Sequence, residues 1–255
     1  MFEDSARIRC MWNNKSVSLV MPTYREKDSI RAKIEDFLAT GLVDEVIVAN
    51  NNAETGTDEE IRKIKSDKIK IIYEKRQGYG YALQAALLAA SGDLVVSIEP
   101  DATYIGKDLK RFLIFSEDFP VVFGSRVIKK THNKDWGYWR REVNFLYGTL
   151  IHLLFNTNTI TDIGCTYKLL KREVIHELAP HWRHGSSLFA TELLLLVITR
   201  GYPFIEIPVT FEERVGGSVV IGSRLKLVKL AFEGLWQIIA GWIRWLIHGK
   251  NLEYV

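Results

Sequence analysis

The chain has 255 residues, 47% of them hydrophobic, enough to bury a sizeable core as one large α/β domain or as a domain with an appendage. Its formal charge of +3 is too small to point to nucleic acid, and its two cysteines, Cys10 and Cys165, form neither a disulfide framework nor a metal-ligand spacing, so a reducing, cytosolic compartment is expected. The acids Glu3 and Asp4 argue against a signal peptide, and no apolar run is long enough to span a bilayer, so contact with a membrane is expected from one side only.

After an N-terminal extension (1–16), strand and helix signals alternate. Val17-Ser18-Leu19-Val20-Met21 reads as the first strand and Pro22-Thr23-Tyr24-Arg25-Glu26 as the loop that leaves it. Asp28 or Ser29 can cap a helix with Ile30, Ile34, Phe37 and Leu38 on one face, and Gly41 is placed to end it. Glu45-Val46-Ile47-Val48-Ala49 is the second strand, followed by a polar loop from Asn50 to Thr57 and a helix start at Asp58, Glu59 and Glu60, where acids meet the positive end of the dipole. Ile69-Lys70-Ile71-Ile72-Tyr73 is the third strand, with a helix from about 81 to 90 behind it. This βαβα order implies a mostly parallel sheet with right-handed crossovers and a ligand site along its carboxyl edge.

The fourth strand, Leu94-Val95-Val96-Ser97-Ile98, runs into Glu99-Pro100-Asp101. An extended backbone places acids two residues apart on one side, and such a pair suits Mg²⁺ or Mn²⁺, which takes one or two carboxylates and leaves its other positions to substrate phosphates. A solvated acidic turn explains the pair as well when it is taken alone. The earlier loops can serve a nucleotide: Tyr24 can stack on a base, and Glu26 or Asn50-Asn51-Asn52 can bond base and ribose, although asparagines also stabilise turns. The segment Lys75-Arg76-Gln77-Gly78-Tyr79-Gly80 combines cations and glycines at a helix start, where backbone N–H groups cradle phosphate; tight packing accounts for the glycines equally.

The order of these segments resembles glycosyltransferase family 2. The resemblance is carried by Pro22-Thr23-Tyr24, the strand Val46-Ile47-Val48 with its loop to Gly56-Thr57, Gly78-Tyr79-Gly80-Tyr81-Ala82, Glu99-Pro100-Asp101 and Gly124-Ser125-Arg126. It continues through Asp162-Ile163-Gly164-Cys165-Thr166-Tyr167-Lys168, Thr191-Glu192-Leu193-Leu194 and Arg214-Val215-Gly216-Gly217-Ser218, which are similar to segments of the dolichyl- or polyprenyl-phosphate sugar synthases. The resemblance implies a GT-A fold over residues 17–222, a nucleotide-sugar donor, a divalent cation and inversion at the anomeric carbon. It implies Pro22, Tyr24 and Glu26 around the nucleotide, Asn51 facing base or ribose, Glu99 and Asp101 on the metal, and Asp162 and Glu192 near the reacting centre. Two departures stand out: Asn50-Asn51 replaces the usual aspartate pair, and Glu99 replaces the usual first metal-site aspartate.

A sugar leaving a nucleotide diphosphate develops charge on the bridging oxygen, so metal and fixed cations are the expected catalysts. Arg126 is assigned a catalytic role and Arg214 the donor site, with Lys75, Gly78, Gly80 and Ser218 beside it; Arg140, Arg141 and Lys168 are assigned to an acceptor phosphate. A surface ion pair is the alternative for each arginine. A phosphate acceptor is already ionised near neutral pH and needs no strong base. His176, His181 and His184 lack a metal-site partner pattern, and Cys165 is expected to be packed.

From Lys226 onward, Lys226, Lys229, Glu233, Gln237, Arg244 and His248 recur at helical steps within an otherwise apolar, Trp-containing segment (223–255). That pattern fits an amphipathic helix lying in a membrane interface, or alternatively a helix packed on the protein's own core or on a second copy. The expected activity is metal-dependent, inverting sugar transfer to a polyprenyl or dolichyl phosphate, by a protein held peripherally on the cytoplasmic face of the membrane. The alternatives are a soluble glycosyltransferase acting on a hydroxyl, and a nucleotide-binding module without catalysis.

Overall fold

The structure is a computed structural model that describes residues 12–128, 138–212 and 224–249. Its strands are β1 (Val17–Thr23), β2 (Glu45–Asn50), β3 (Ile69–Tyr73), β4 (Leu94–Ser97), β5 (Val121–Ser125), β6 (Lys168–Lys171) and β7 (Phe204–Pro208). They form one sheet in the order β3-β2-β1-β4-β6-β5-β7. All neighbours are parallel except β6, which runs antiparallel to both β4 and β5. The expected mostly parallel sheet is therefore present, with one reversed strand in its middle.

Helices cover both faces. They are α1 (Lys27–Leu38), α2 (Thr57–Arg62), α3 (Tyr79–Ala89), α4 (Leu109–Phe115), α5 (Tyr138–Phe155), α6 (Arg172–Leu178), α7 (Phe189–Thr199) and α8 (Arg224–His248). Alternate residues of each strand serve opposite layers: Leu19 and Met21 pack with Ile30, Ile34, Phe37 and Phe112 on the α1–α4 side, while Val20 and Val95 pack with Leu83, Leu87, Phe189 and Leu193 on the α3–α7 side. Because both faces are covered, β1 is buried along its whole length and reads as a continuous apolar run with little polar alternation.

Several local expectations change. Glu26 stands at the N-cap of α1 and makes no side-chain cap bond, while Ser29 Oγ turns back to the Glu26 carbonyl, so neither Asp28 nor Ser29 caps the helix. Gly41 does sit just past α1, with φ +69°, a conformation open to glycine. β4 ends at Ser97, and Glu99 and Asp101 follow on a bend in which Ala102 takes φ +68°, so the acids do not continue an extended strand.

The C-terminal segment is one helix over its described part. Ile238 and Gly241 of α8 turn toward α5 and α7, with Gly241 near Leu195 and Phe155, and the Tyr147 hydroxyl donates to the Ala231 carbonyl at 2.6 Å. Gln237, expected on a polar stripe, instead turns inward and donates to the Leu188 carbonyl at 3.3 Å. Val228, Phe232, Trp236, Leu246 and Ile247 remain exposed, as do Val143, Leu146 and Leu153 of α5. Helix α5 also meets the loop before β6 backbone to backbone: a Cβ on Gly148 would lie 1.9 Å from the Ile160 carbonyl oxygen.

Candidate active site

The carboxyl ends of β1, β2, β4 and β5 lie on one rim of the sheet. Because β6 is reversed, its N-terminal end joins them, bringing the loop from Thr161 to Tyr167 to the same rim. There the Ser97 hydroxyl donates to the Thr166 carbonyl at 2.9 Å, tying the end of β4 to the start of β6.

Asp101 is nearly fully buried, and its Oδ1 accepts from the Thr103 N–H at 3.1 Å and the Thr103 hydroxyl at 2.6 Å. This fixes the carboxyl group on its bend. Tyr79, at the start of α3, faces the same acids: burial raises its hydroxyl pKa well above the ordinary value, and the carboxylates of Glu99 and Asp101 add to the rise. A third segment closes over this corner. Phe211 bridges to Tyr104, the Glu212 N–H donates to the Thr103 carbonyl at 2.8 Å, and the Arg126 guanidinium lies 5.3 Å from the centre of the Phe211 ring.

Arg126 and Asp162, both assigned to the site from sequence, meet as a bidentate pair. Nε and a terminal nitrogen of Arg126 lie 2.7 and 2.8 Å from the Asp162 oxygens, and the Arg126 backbone N–H adds a bond of 3.0 Å. The Asp162 side chain has no exposed surface. Burial alone would lower the Arg126 pKa, but the Asp162 charge outweighs it and the guanidinium stays charged. Asp162 is thus held as the counter-ion of an arginine.

Sequence reasoning missed Glu206 of β7. Its carboxyl group accepts from the Thr161 N–H at 3.1 and 2.9 Å, from the Thr161 hydroxyl at 2.8 Å and from the Asp162 N–H at 2.9 Å. The available signal was an acid in the otherwise apolar strand Phe204-Ile205-Glu206-Ile207. Tyr79 likewise has no local signal in the sequence beyond the glycines that flank it.

Other assigned residues serve the frame of the site. Asn51 is buried, and all four of its amide bonds go to one loop: it donates to the Glu74 and Arg76 carbonyls at 2.8 Å each and accepts from Gln77 at 3.1 Å and the Gly78 N–H at 2.8 Å. Its amide is therefore committed to shaping the 74–78 loop and does not reach toward a base. Glu26 uses one oxygen on the Thr23 hydroxyl and the N–H groups of Tyr24 and Arg25, organising the loop after the buried Pro22. Tyr24 is half-buried, with the Arg25 guanidinium 5.1 Å from its ring centre.

Gly78 and Gly80 do not form an open phosphate cradle. A Cβ on Gly78 would lie 2.2 Å from the Gly185 carbonyl oxygen, and one on Gly80 would lie 2.4 Å from that of His184. The Tyr81 N–H, one of the donors at this helix start, is taken by the Gly185 carbonyl at 3.2 Å. The glycines are there because a second loop packs against them. Glu192 fixes that loop, accepting from the Arg183 and His184 N–H groups at 3.0 Å each and lying 3.0 Å from His184 Nδ1.

Lys168 is buried in β6 opposite Ser97 and Phe123, and its ammonium group bonds the Cys165 carbonyl. Burial lowers its pKa, and the group holds the 162–168 loop, so it is not presented to an acceptor phosphate. Cys165 is packed as expected, with burial pushing its thiol up to about 11. Lys75 and Arg141 are exposed, and Arg141 lines a cavity of about 320 Å³ together with Val127, Ile128, Glu142, Phe145 and Thr161. Arg140 falls in the first turn of α5, while Arg214 and Ser218 lie outside the described residues. His181 is bonded to Arg200 and His184 to Glu192, so the three histidines are dispersed.

A mostly parallel sheet with one reversed strand, helices on both faces and an acid pair at the end of its fourth strand defines a GT-A glycosyltransferase. A solved structure of glucosyl-3-phosphoglycerate synthase from Mycobacterium tuberculosis, in complex with Mn²⁺, UDP and phosphoglyceric acid, shares this fold with a TM-score of 0.68 at 17% identity, over 90% of this chain and 79% of that one. The chain belongs to glycosyl transferase family 2, whose sequence profile matches residues 18–179. It is 29% identical over 228 residues to a dolichyl-phosphate hexose transferase of Haloferax volcanii, covering 85% of this chain and 94% of the relative. It is 23% identical over 243 residues to a polyprenol monophosphomannose synthase of Mycolicibacterium smegmatis, covering 88% and 87%.

Proposed function

We propose that the chain transfers a hexose from a nucleotide diphosphate to a dolichyl or polyprenyl phosphate at the cytoplasmic face of a membrane, with inversion at the sugar carbon. The observation that carries this reading is the single rim on which the acids Glu99 and Asp101, the ion-paired Arg126 and the reversed-strand loop converge, in a chain whose relatives bear the names of lipid-phosphate sugar transferases.

The donor set on the rim fits a divalent cation. Glu99 and Asp101 stand two residues apart, Asp101 is held by Thr103, and no group of three or more His, Cys, Asp or Glu side chains suited to a metal occurs among the described residues. Two protein oxygens with the rest supplied by substrate phosphates is the ligand pattern of Mg²⁺ or Mn²⁺. Bound by Glu99 and Asp101, the cation would neutralise charge on the diphosphate leaving group. Arg126 adds a fixed positive charge near that point, and Asp162 holds its guanidinium in one orientation. An acceptor phosphate attacks as an anion and needs no strong base.

The exposed apolar residues of α8 and α5 supply the means of reaching a lipid acceptor. Val228, Phe232, Trp236, Leu246 and Ile247 with Leu146 and Leu153 form apolar faces on two helices in mutual contact, with Lys229 and Arg244 in the same helix for anionic headgroups. No helix among the described residues is long and apolar enough to cross a membrane, so these faces suit attachment from one side.

The test is a transfer assay with a panel of nucleotide sugars and polyprenyl phosphate in liposomes, with Mn²⁺, Mg²⁺ or chelator. Metal-dependent label in the organic phase is the expected result. Transfer only to a water-soluble hydroxyl acceptor, or nucleotide binding without any transfer, would overturn the reading.

A further inference from the structure

We propose that Glu206 is a positioning residue for the transfer reaction, holding both members of the Arg126–Asp162 pair in place from the far strand of the sheet. The proposal rests on the transferase reading above and adds a residue to it.

The geometry assigns Glu206 two separate grips. On one side its carboxyl group accepts the N–H groups of Thr161 and Asp162, which fixes the backbone that carries the Asp162 side chain. On the other side it accepts from the Thr161 hydroxyl at 2.8 Å. That hydroxyl lies 2.7 Å from Ser125 Oγ, which in turn accepts from the Val127 N–H at 3.1 Å and the Ile128 N–H at 3.3 Å. A carboxylate can only accept, so it fixes the direction of the whole chain: Thr161 donates to Glu206, Ser125 donates to Thr161, and the Ser125 oxygen is free to accept from the turn. The turn so held, 125–128, contains Arg126. One carboxyl group therefore anchors the aspartate through its own N–H and the arginine through two hydroxyls.

Glu206 touches no reacting atom and lies on β7, at the sheet edge beyond β5, paired in register with Phe123. The charged groups that face it are Asp162 on the loop and Lys168 on β6, and β5 presents Phe123 and Ser125. It also borders a cavity of about 390 Å³ lined by Phe119, Asn158, Thr159 and Ile205, which gives protons a route to it. Burial raises its pKa, against the pull of the Thr161 and Asp162 bonds and with a contribution from Asp162, to about 7. Protonation turns an acceptor into a donor and disables the fixed direction of the hydroxyl chain, so the anchor is complete only above that pH.

The experiment has two arms on the full chain. The first is amide hydrogen exchange at Thr161 and Asp162: both are expected to be protected in the unmodified protein and to exchange at least about tenfold faster in Glu206→Gln, whose amide offers a single acceptor oxygen. The second is transfer kinetics with polyprenyl phosphate liposomes and whichever nucleotide sugar the unmodified chain uses. Glu206→Gln is expected to lower kcat by about 10- to 100-fold with donor KM within about twofold, the effect of a misplaced group that does not itself bind donor. The rise of kcat through about pH 7 is expected to vanish in the variant. Glu206→Asp, which keeps the charge on a shorter arm, should recover part of the rate.

Unchanged exchange and unchanged kcat in a folded Glu206→Gln protein would overturn the proposal. If that variant does not fold, Thr161→Val decides: it keeps both N–H grips and breaks the hydroxyl chain, so kcat should fall by about 3- to 10-fold, and an unchanged rate overturns the anchoring of Arg126. Failure of the unmodified chain to transfer sugar to any acceptor is a different outcome, because it sinks the transferase reading and the positioning role with it, while the exchange arm still reads the grip itself.

Discussion

Strands β1 to β4 and strands β5 to β7 share one sheet but are tied together by different means. In the first group, parallel strands sit between helices in regular βα order, and their rim loops are closed by polar side chains that bond neighbouring backbone, as Asn51 does for the 74–78 loop and Glu26 for the 23–26 loop. In the second group a reversed strand enters the middle of the sheet, and rim order depends on charged groups bonded across long sequence separations, such as Arg126 with Asp162 and Glu206 with Thr161. The first half resembles a prepared socket. The second half is held by a few buried ionic groups, and these are costly to leave unpaired.

The contrast can be broken most sharply at its ionic end. Asp162→Asn leaves the Arg126 guanidinium, whose side chain is 13% exposed, without its counter-charge, and a loss of about 3–5 kcal/mol in unfolding free energy is expected by denaturant titration, together with loss of transfer. Asp101→Asn keeps an oxygen for Thr103 and so should fold normally, yet lower metal-dependent transfer by about 100-fold or more, read as kcat with saturating Mn²⁺. Together the variants separate stability from chemistry: the first is expected to damage both, the second only the reaction.

Glu206 sets a pH window for stability. Its folded pKa of about 7 lies above the ordinary carboxyl value of 4.5, so it favours the folded state fully below about pH 4.5, and that contribution is lost as pH rises through about 7. The change amounts to roughly 3–4 kcal/mol. Unfolding free energy measured from pH 4.5 to 8 should show this decline, and Glu206→Gln should flatten it. Stability and the anchoring of the ion pair then move in opposite directions with pH.

On the socket side, Gly80→Ala drives a methyl group into the His184 carbonyl, and a loss of about 1–3 kcal/mol is expected by thermal or denaturant unfolding. The smallest effect on stability belongs to the outer surface. Phe232→Glu with Trp236→Glu, both about two-thirds exposed, should change unfolding free energy by no more than about 0.5 kcal/mol while reducing cosedimentation with anionic liposomes several-fold. Undiminished vesicle binding would remove α8 from the membrane face.

The socket half was largely legible in the sequence, because strands of continuous apolar residues and helices with one buried face follow from local periodicity; β3 was read with the bounds it has. The second half was less so. Nothing local marks β6 as reversed, since Lys168-Leu169-Leu170-Lys171 offers the same pattern in either direction. The motifs found Arg126 and Asp162 but not their pairing, which spans 36 positions. Gly78 and Gly80 pack against a backbone segment about a hundred positions away, while Lys168 and Glu192 are taken up by backbone only three and eight or nine positions away, which local periodicity does not reveal either. The four bonding sites of the Asn51 amide are equally suited to a base or to a loop, and only the fold shows that the 74–78 loop takes them.

The closeness of Gly148 to Ile160 has a mechanical side. Two backbones in direct contact have no side chain between them to yield, so α5 and the loop that carries Thr161 and Asp162 act as one stiff piece. The contact leaves no side chain to yield between α5 and the loop, whereas α8 meets its neighbours mainly through side chains such as Ile238, Trp242 and Trp245, which can change rotamer. Of the two apolar helices, one is a cushion and the other a lever, and the short arm of the lever ends beside the arginine of the site.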